Sequence, residues 1–218
     1  RDERHPQRFT GFDDADDLPM RQLAQEAAGP LHIVNCALNL GGSSDLALHT
    51  RHSGSFVITP LATGSGYISL DPHMRRAMVG YRHTEKYGGS HHYPTLGQAI
   101  SVSGAAANPN MGFHTAPSVA FLLTMFNARL GWWFPNPRRR VMRSSPAFSL
   151  PYLLRELFGM ADEKLPFLNV SDGGHFENLG AYELIRRRCG VIIISDAECD
   201  PDLKFEGLAQ LIRMCRVD

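Results

Sequence analysis

An α/β fold with a central sheet flanked by helices follows from three observations. Residues 167–194 read as strand, glycine turn, helix and strand. Two strand-like runs, 31–40 and 55–61, lie far upstream. Between these regions run segments with apolar residues three and four apart, the mark of helices that bury one face. The chain has 218 residues, enough for one sizeable domain or a large part of one. Hydrophobic residues make up 43% and charged residues 20%, a balance that excludes a disordered chain. Basic and acidic residues number 22 each, so no global field directs the chain to nucleic acid. No apolar run has transmembrane length and no signal-peptide pattern is visible. Cys36, Cys189, Cys199 and Cys215 form no CxxC pair. They read as reduced, mostly buried thiols of an intracellular protein, cytoplasmic or membrane-associated.

Taken in order, residues 1–27 are a charged lead-in and a short helix, and residues 28–218 the domain proper. The helix spans 17–28, with Pro19 in its first turn and Gly29-Pro30 as its stop. Strand-like 31–40 ends at Gly41-Gly42 and pairs with 55–61 as a hairpin. Residues 62–94 read as one long loop rich in Gly, His and Tyr. Its His83, His91 and His92 fit neither HExxH nor a paired Cys/His template, so no metal site is expected. Residues 95–107 form a helix of small side chains, stopped by Asn108-Pro109-Asn110. Thr115 caps a helix whose stripe runs through Val119, Leu122, Leu123, Phe126, Leu130 and Trp133, ended by Pro135.

The aromatic residues Trp132-Trp133-Phe134 precede Arg138, Arg139, Arg140 and Arg143. Such a cluster suits either a solvated loop or a membrane interface. A further helix opens at Ser149, with Leu153, Leu154, Leu157 and Phe158 as its apolar face. Residues 203–215 close the chain as a helix through Phe205, Leu208, Leu211 and Ile212. Arg1 is not methionine and Asp218 comes soon after this helix, so both ends read as cut.

The stretch with the most chemistry is 167–180. Phe167, Leu168 and Val170 form a buried strand that stops on Asp172. Gly173 and Gly174 permit unusual backbone angles and a close approach of another segment. Asn178 can cap the next helix, which carries Ala181, Leu184, Ile185 and Cys189 on one face. Gly190 ends it, and Val191 to Ile194 make a second buried strand, completing a β-α-β unit. In open α/β sheets, chemistry gathers at the carboxyl ends of strands. Asp172 is therefore a candidate base, although it also suits a plain turn. His175 is the nearest alternative base, and Asn108 and Asn110 suit loop support as well as a helix stop. No serine has glycines two positions away on both sides: Ser43, Ser65 and Ser103 each fail that spacing, and no Ser-His-Asp triad can be assigned.

The run Ser171-Asp172-Gly173-Gly174-His175-Phe176-Glu177-Asn178-Leu179-Gly180 resembles the patatin-like and cytosolic phospholipase superfamily, especially large bacterial patatin-like proteins. Residues 34–40, 56–60, 103–112 and 127–133 look like the same group in the same order, so the resemblance covers roughly residues 28–216. It implies a partial Ser-Asp hydrolase fold, the carboxyl-terminal part of a catalytic domain without its nucleophile-elbow segment. It implies Asp172 as general base, Gly173 and Gly174 as backbone of the site, and a nucleophilic serine upstream of Arg1. His175, Asn178 and Asn110 are expected around them. The implied activity is hydrolysis of lipid acyl esters, of phospholipase or lysophospholipase type, with no cofactor. A catalytically inactive module docking on a membrane or partner is the competing expectation. Calcium is not implied, since no EF-hand-like loop is present.

Overall fold

A computed structural model describes residues 4–25, 29–44, 52–68, 80–89, 93–106, 131–139 and 143–218. Its centre is a mixed α/β arrangement built on a six-stranded sheet, β1 Val34–Asn39, β2 Ser53–Ile58, β3 Ala62–Gly64, β4 Tyr81–His83, β5 Trp132–Pro135 and β6 Phe167–Asp172. The spatial order is β4-β3-β2-β1-β6-β5, and each neighbouring pair is antiparallel. The described helices are α1 Gln22–Gln25, α2 Leu96–Ser103, α3 Leu150–Leu157, α4 Tyr182–Arg186 and α5 Glu206–Val217.

Strand alternation divides the molecule into two layers. Val34, Cys36 and Leu38 of β1, Phe56 and Ile58 of β2, and Leu168 and Val170 of β6 bury on one face. There they meet Ala99 and Val102 of α2. Ala37 points the other way, into a smaller core with Phe176, Tyr182, Leu211 and Met214 from the α4–α5 side. Thr95 caps α2 by accepting from the Gln98 amide at 3.1 Å. Asp17 adds a second anchor to that helix start, accepting from the Gly97 amide at 2.8 Å.

The hairpin of β1 and β2 forms as expected, with Cys36 opposite Phe56. The 62–94 loop is replaced in part by β3 and β4, which extend the sheet through the pairs Ala62–His83 and Gly64–Tyr81. Trp132 to Phe134 do not finish a helix; they form β5 against β6, and residues 115–130 lie outside the described residues. The β-α-β unit also fails. Both edges of β6 are occupied, by β1 and β5, and residues 191–194 form no strand, with Val191 and Ile193 exposed.

The helix after β6 is shorter than its pattern predicts. It stops at Arg186, and its buried residues are Ala181, Tyr182 and Glu183 rather than the stripe ending at Cys189. Of the four thiols only Cys36 is buried, while Cys189 and Cys199 are exposed. In α5 the buried residues are Gly207, Leu211 and Met214, so Phe205, Leu208 and Ile212 face outwards.

Glu183 ties α4 to the sheet. It accepts from Ser55 Oγ of β2 at 2.6 Å and from Arg186 at 2.8 Å, and it pairs with Arg187. Burial alone would raise its pKa. Hydrogen bonds from Arg186 and Ser55 and the charges of Arg186 and Arg187 outweigh that and hold it below the ordinary 4.5. The folded state thus favours the charged carboxylate. Its stabilisation is present above the unfolded value and lost as pH falls through the lowered folded value. Urea unfolding measured against pH is expected to show this acid-side loss, and Glu183→Gln to flatten it. At the other core, Phe56→Ala removes a fully buried ring and is expected to cost about 3–5 kcal/mol in the same assay.

Candidate functional site

β6 continues straight into a 3-10 turn, Gly173–His175, and this junction builds the site. Asp172 is the last residue of the strand and caps the turn, its Oδ1 accepting from the Gly174 amide at 2.8 Å. By strand alternation its side chain lies on the α2 face, beside Leu168 and Val170 in phase. Its register partner on β1 is Cys36. Burial raises the Cys36 pKa, and the negative charge of Asp172 raises it further. Cys36 is therefore a neutral core thiol, unsuited to nucleophilic chemistry.

Asp172 is only half-buried and forms no ion pair with the described residues. It borders two cavities. One, of about 570 Å³, also touches His175, Asn178, Glu198 and Lys204. The other, of about 510 Å³, is lined by Asn35, Ser103, Gly173 and Asn178 among others. A carboxylate so placed can accept a proton from a group entering either space.

Neither glycine has positive φ; at Gly173 the constraint is crowding against backbone, whereas at Gly174 it is contact with the end of a side chain. A Cβ on Gly173 would lie 2.7 Å from the Asn35 carbonyl oxygen of β1. A Cβ on Gly174 would lie 2.7 Å from Asn178 Oδ1. The expected close approach is thus observed, with β1 as the neighbour at Gly173.

Asn178 does not cap α4. Its amide donates to Glu198 Oε1 at 2.5 Å. The N-cap position is Ala181, which has no side-chain cap, and the Glu177 carboxylate upstream accepts from the Leu179, Ala181 and Tyr182 amides at 2.5, 2.9 and 3.1 Å. A glutamate just before the helix can reach several orphan amides together, a role that the Asn-at-cap preference conceals.

His175 turns its Nδ1 to Ser171 Oγ at 3.0 Å, not to Asp172. Ser171 in turn accepts from Asn39 Nδ2 at 3.0 Å, and that same nitrogen donates to Asn169 Oδ1 at 2.6 Å. Asn39, Asn169 and Ser171 are buried on the face opposite Asp172. This polar ladder was missed by sequence reasoning. Its signal was the alternation Asn169–Ser171 in an otherwise apolar strand, four residues short of His175. Ser103 lacks the elbow spacing, yet α2 carries it to the cavity wall shared with Asp172. Its hydroxyl donates to the Asn35 carbonyl at 2.6 Å.

Asn110, His91 and His92 lie outside the described residues. His83 is exposed on β4, and among the described residues no three His, Cys, Asp or Glu side chains gather as a metal site. No helix among the described residues is long and apolar enough to cross a membrane.

The crowding makes a direct test. Gly173→Ala forces β6 and β1 apart and is expected to lower stability by about 1–3 kcal/mol. Gly190→Ala, with open space around it, serves as the control and is expected to leave the unfolding midpoint in place. Equal effects would contradict the contact. No protein-family model, no curated protein and no solved structure matches the chain.

Proposed function

We propose that Asp172 is the general base of a Ser-Asp dyad that hydrolyses lipid acyl esters, phospholipids or lysophospholipids, within a patatin-like catalytic domain. The observation that carries this reading is the placement of Asp172: a half-buried carboxylate at a strand end, steadied by one backbone amide and bordering two cavities. The resemblance at residues 171–180 supports the same role.

A serine hydroxyl is a weak nucleophile until a base removes its proton. In the proposed cycle Asp172 takes that proton while Oγ attacks the ester carbonyl. The proton then passes to the departing alcohol, leaving an acyl-serine. Asp172 next deprotonates a water, which attacks the acyl carbon; the proton then passes from Asp172 to the serine oxygen as its bond to the acyl carbon breaks, releasing the fatty acid and restoring the serine. No histidine is needed between the two groups, and the one nearby, His175, is hydrogen-bonded to Ser171.

The nucleophile in this proposal is a serine outside these 218 residues. Ser171 is fully buried within the polar ladder, and the Ser103 hydroxyl is committed to a backbone carbonyl. Asp172→Asn in the full-length gene product is expected to cut ester turnover about a hundredfold to ten-thousandfold, with unchanged circular dichroism. Turnover at the wild-type rate in that variant would sink the assignment.

A further inference from the structure

The helix α3 departs from its sequence pattern: Leu153 and Leu157 are half-buried, but Leu154 and Phe158 face outwards. Its acid, Glu156, is buried and accepts from Trp133 Nε1 of β5 at 3.1 Å. Tyr152 packs its ring on Trp133 and Phe167 at 4.8 and 5.6 Å between centroids. The stripe Leu150, Leu154 and Phe158 is left 51%, 47% and 67% exposed. Residues four apart stack on one helix face, so these three form a continuous ridge. Phe148, at the approach to the helix, extends it at 66% exposure.

Basic residues adjoin this ridge in the chain, and Arg155 lies on the helix itself, next to Leu154. Burial raises the Tyr152 pKa, and the charges of Arg155 and Arg139 oppose that rise. Arg139 is exposed and donates to the Lys164 carbonyl at 3.3 Å. Arg143 is exposed on the segment leading into α3. The neighbouring acids are drawn away: Glu156 and Glu163 are buried, and the half-buried Asp162 accepts from the Lys164 amide at 2.8 Å. An exposed apolar ridge with arginines in the adjoining chain, and with Glu156 and Glu163 buried, complements a surface that is anionic above and apolar below.

We propose that α3 docks flat on an anionic lipid surface, with Leu150, Leu154 and Phe158 at the headgroup boundary and Arg139, Arg143 and Arg155 on lipid phosphates. Eight residues are far too few to span a bilayer and enough to lie along one. Docking stands independently of the hydrolase reading, since none of these residues borders the Asp172 cavities.

Vesicle co-sedimentation of the 218-residue chain tests it, using phosphatidylcholine alone and two parts phosphatidylcholine to one part phosphatidylserine. Binding to the mixed vesicles, weakened by salt and nearly absent on the neutral ones, is expected. Leu154→Gln with Phe158→Gln is expected to lower partition at least about tenfold. Arg139→Gln with Arg143→Gln is expected to lower it about tenfold or more and to erase the anionic preference. Circular dichroism checks that each variant stays folded. Failure to bind mixed vesicles, equal binding to both kinds, or full binding by the Leu154/Phe158 variant overturns the proposal. So does a wild-type dimer that the same variant dissociates while vesicles remain unbound, because the ridge would then join two copies of the chain.

Discussion

β6 lies between β5 and β1, and its register against β1 decides what the rest of the molecule can do. With Cys36 opposite Asp172 and Leu38 opposite Val170, Leu168 and Val170 join the core on the α2 face and odd-numbered residues turn to the other face, where Phe167 meets Tyr152 of α3. A slip by one residue would exchange those faces. Asp172 would then turn to the side of Asn39, and Asn169 and Ser171 would meet the apolar core. The register is held at its end by the contact of Gly173 with the Asn35 carbonyl, which leaves no room for a side chain. It is held along its length by Leu168 and Val170, both fully buried.

The two faces carry different polar chemistry. On the α2 side a single carboxylate stands at the edge of an apolar core and opens onto cavities. On the other side Asn39, Asn169, Ser171 and His175 join in one hydrogen-bonded ladder beneath the turn. Hydrogen bonds within such a buried set restrict how it can pack, although Asn39 Oδ1 finds no hydrogen-bond partner among the described residues. The ladder thereby orients the turn from below while Asp172 is presented from above. Glu177 performs a related task for α4, and Glu183 pins that helix to β2 through Ser55.

Local signals in the chain were enough for the parts whose causes are local. The hairpin of β1 and β2, the helix within residues 95–107 and the strand ending at Asp172 all rest on alternation, helical spacing and glycine breaks. What could not be read depends on partners distant in sequence. Val191 to Ile194 have the composition of a buried strand, but both edges of β6 were already taken. Trp133 continues a helical stripe by spacing, yet pairing with Asn169 makes it part of a strand. In α3 the leucine pattern pointed inwards, and the hydrogen bond from Trp133 to Glu156 instead draws the acid in. The candidate site shows the same division: Asp172 and its glycines were legible, whereas Ser103, Asn35 and the polar ladder come together only through tertiary packing.

Whether the carboxylate at the end of β6 activates a serine can be read covalently. A fluorophosphonate probe on the full-length gene product, with the adduct located by mass spectrometry, asks this without choosing an ester substrate. The expected result is one labelled serine outside these 218 residues, with labelling lost when Asp172 becomes asparagine. No adduct on the wild-type protein, or labelling at the wild-type rate in the Asp172→Asn variant, would contradict a base at this position.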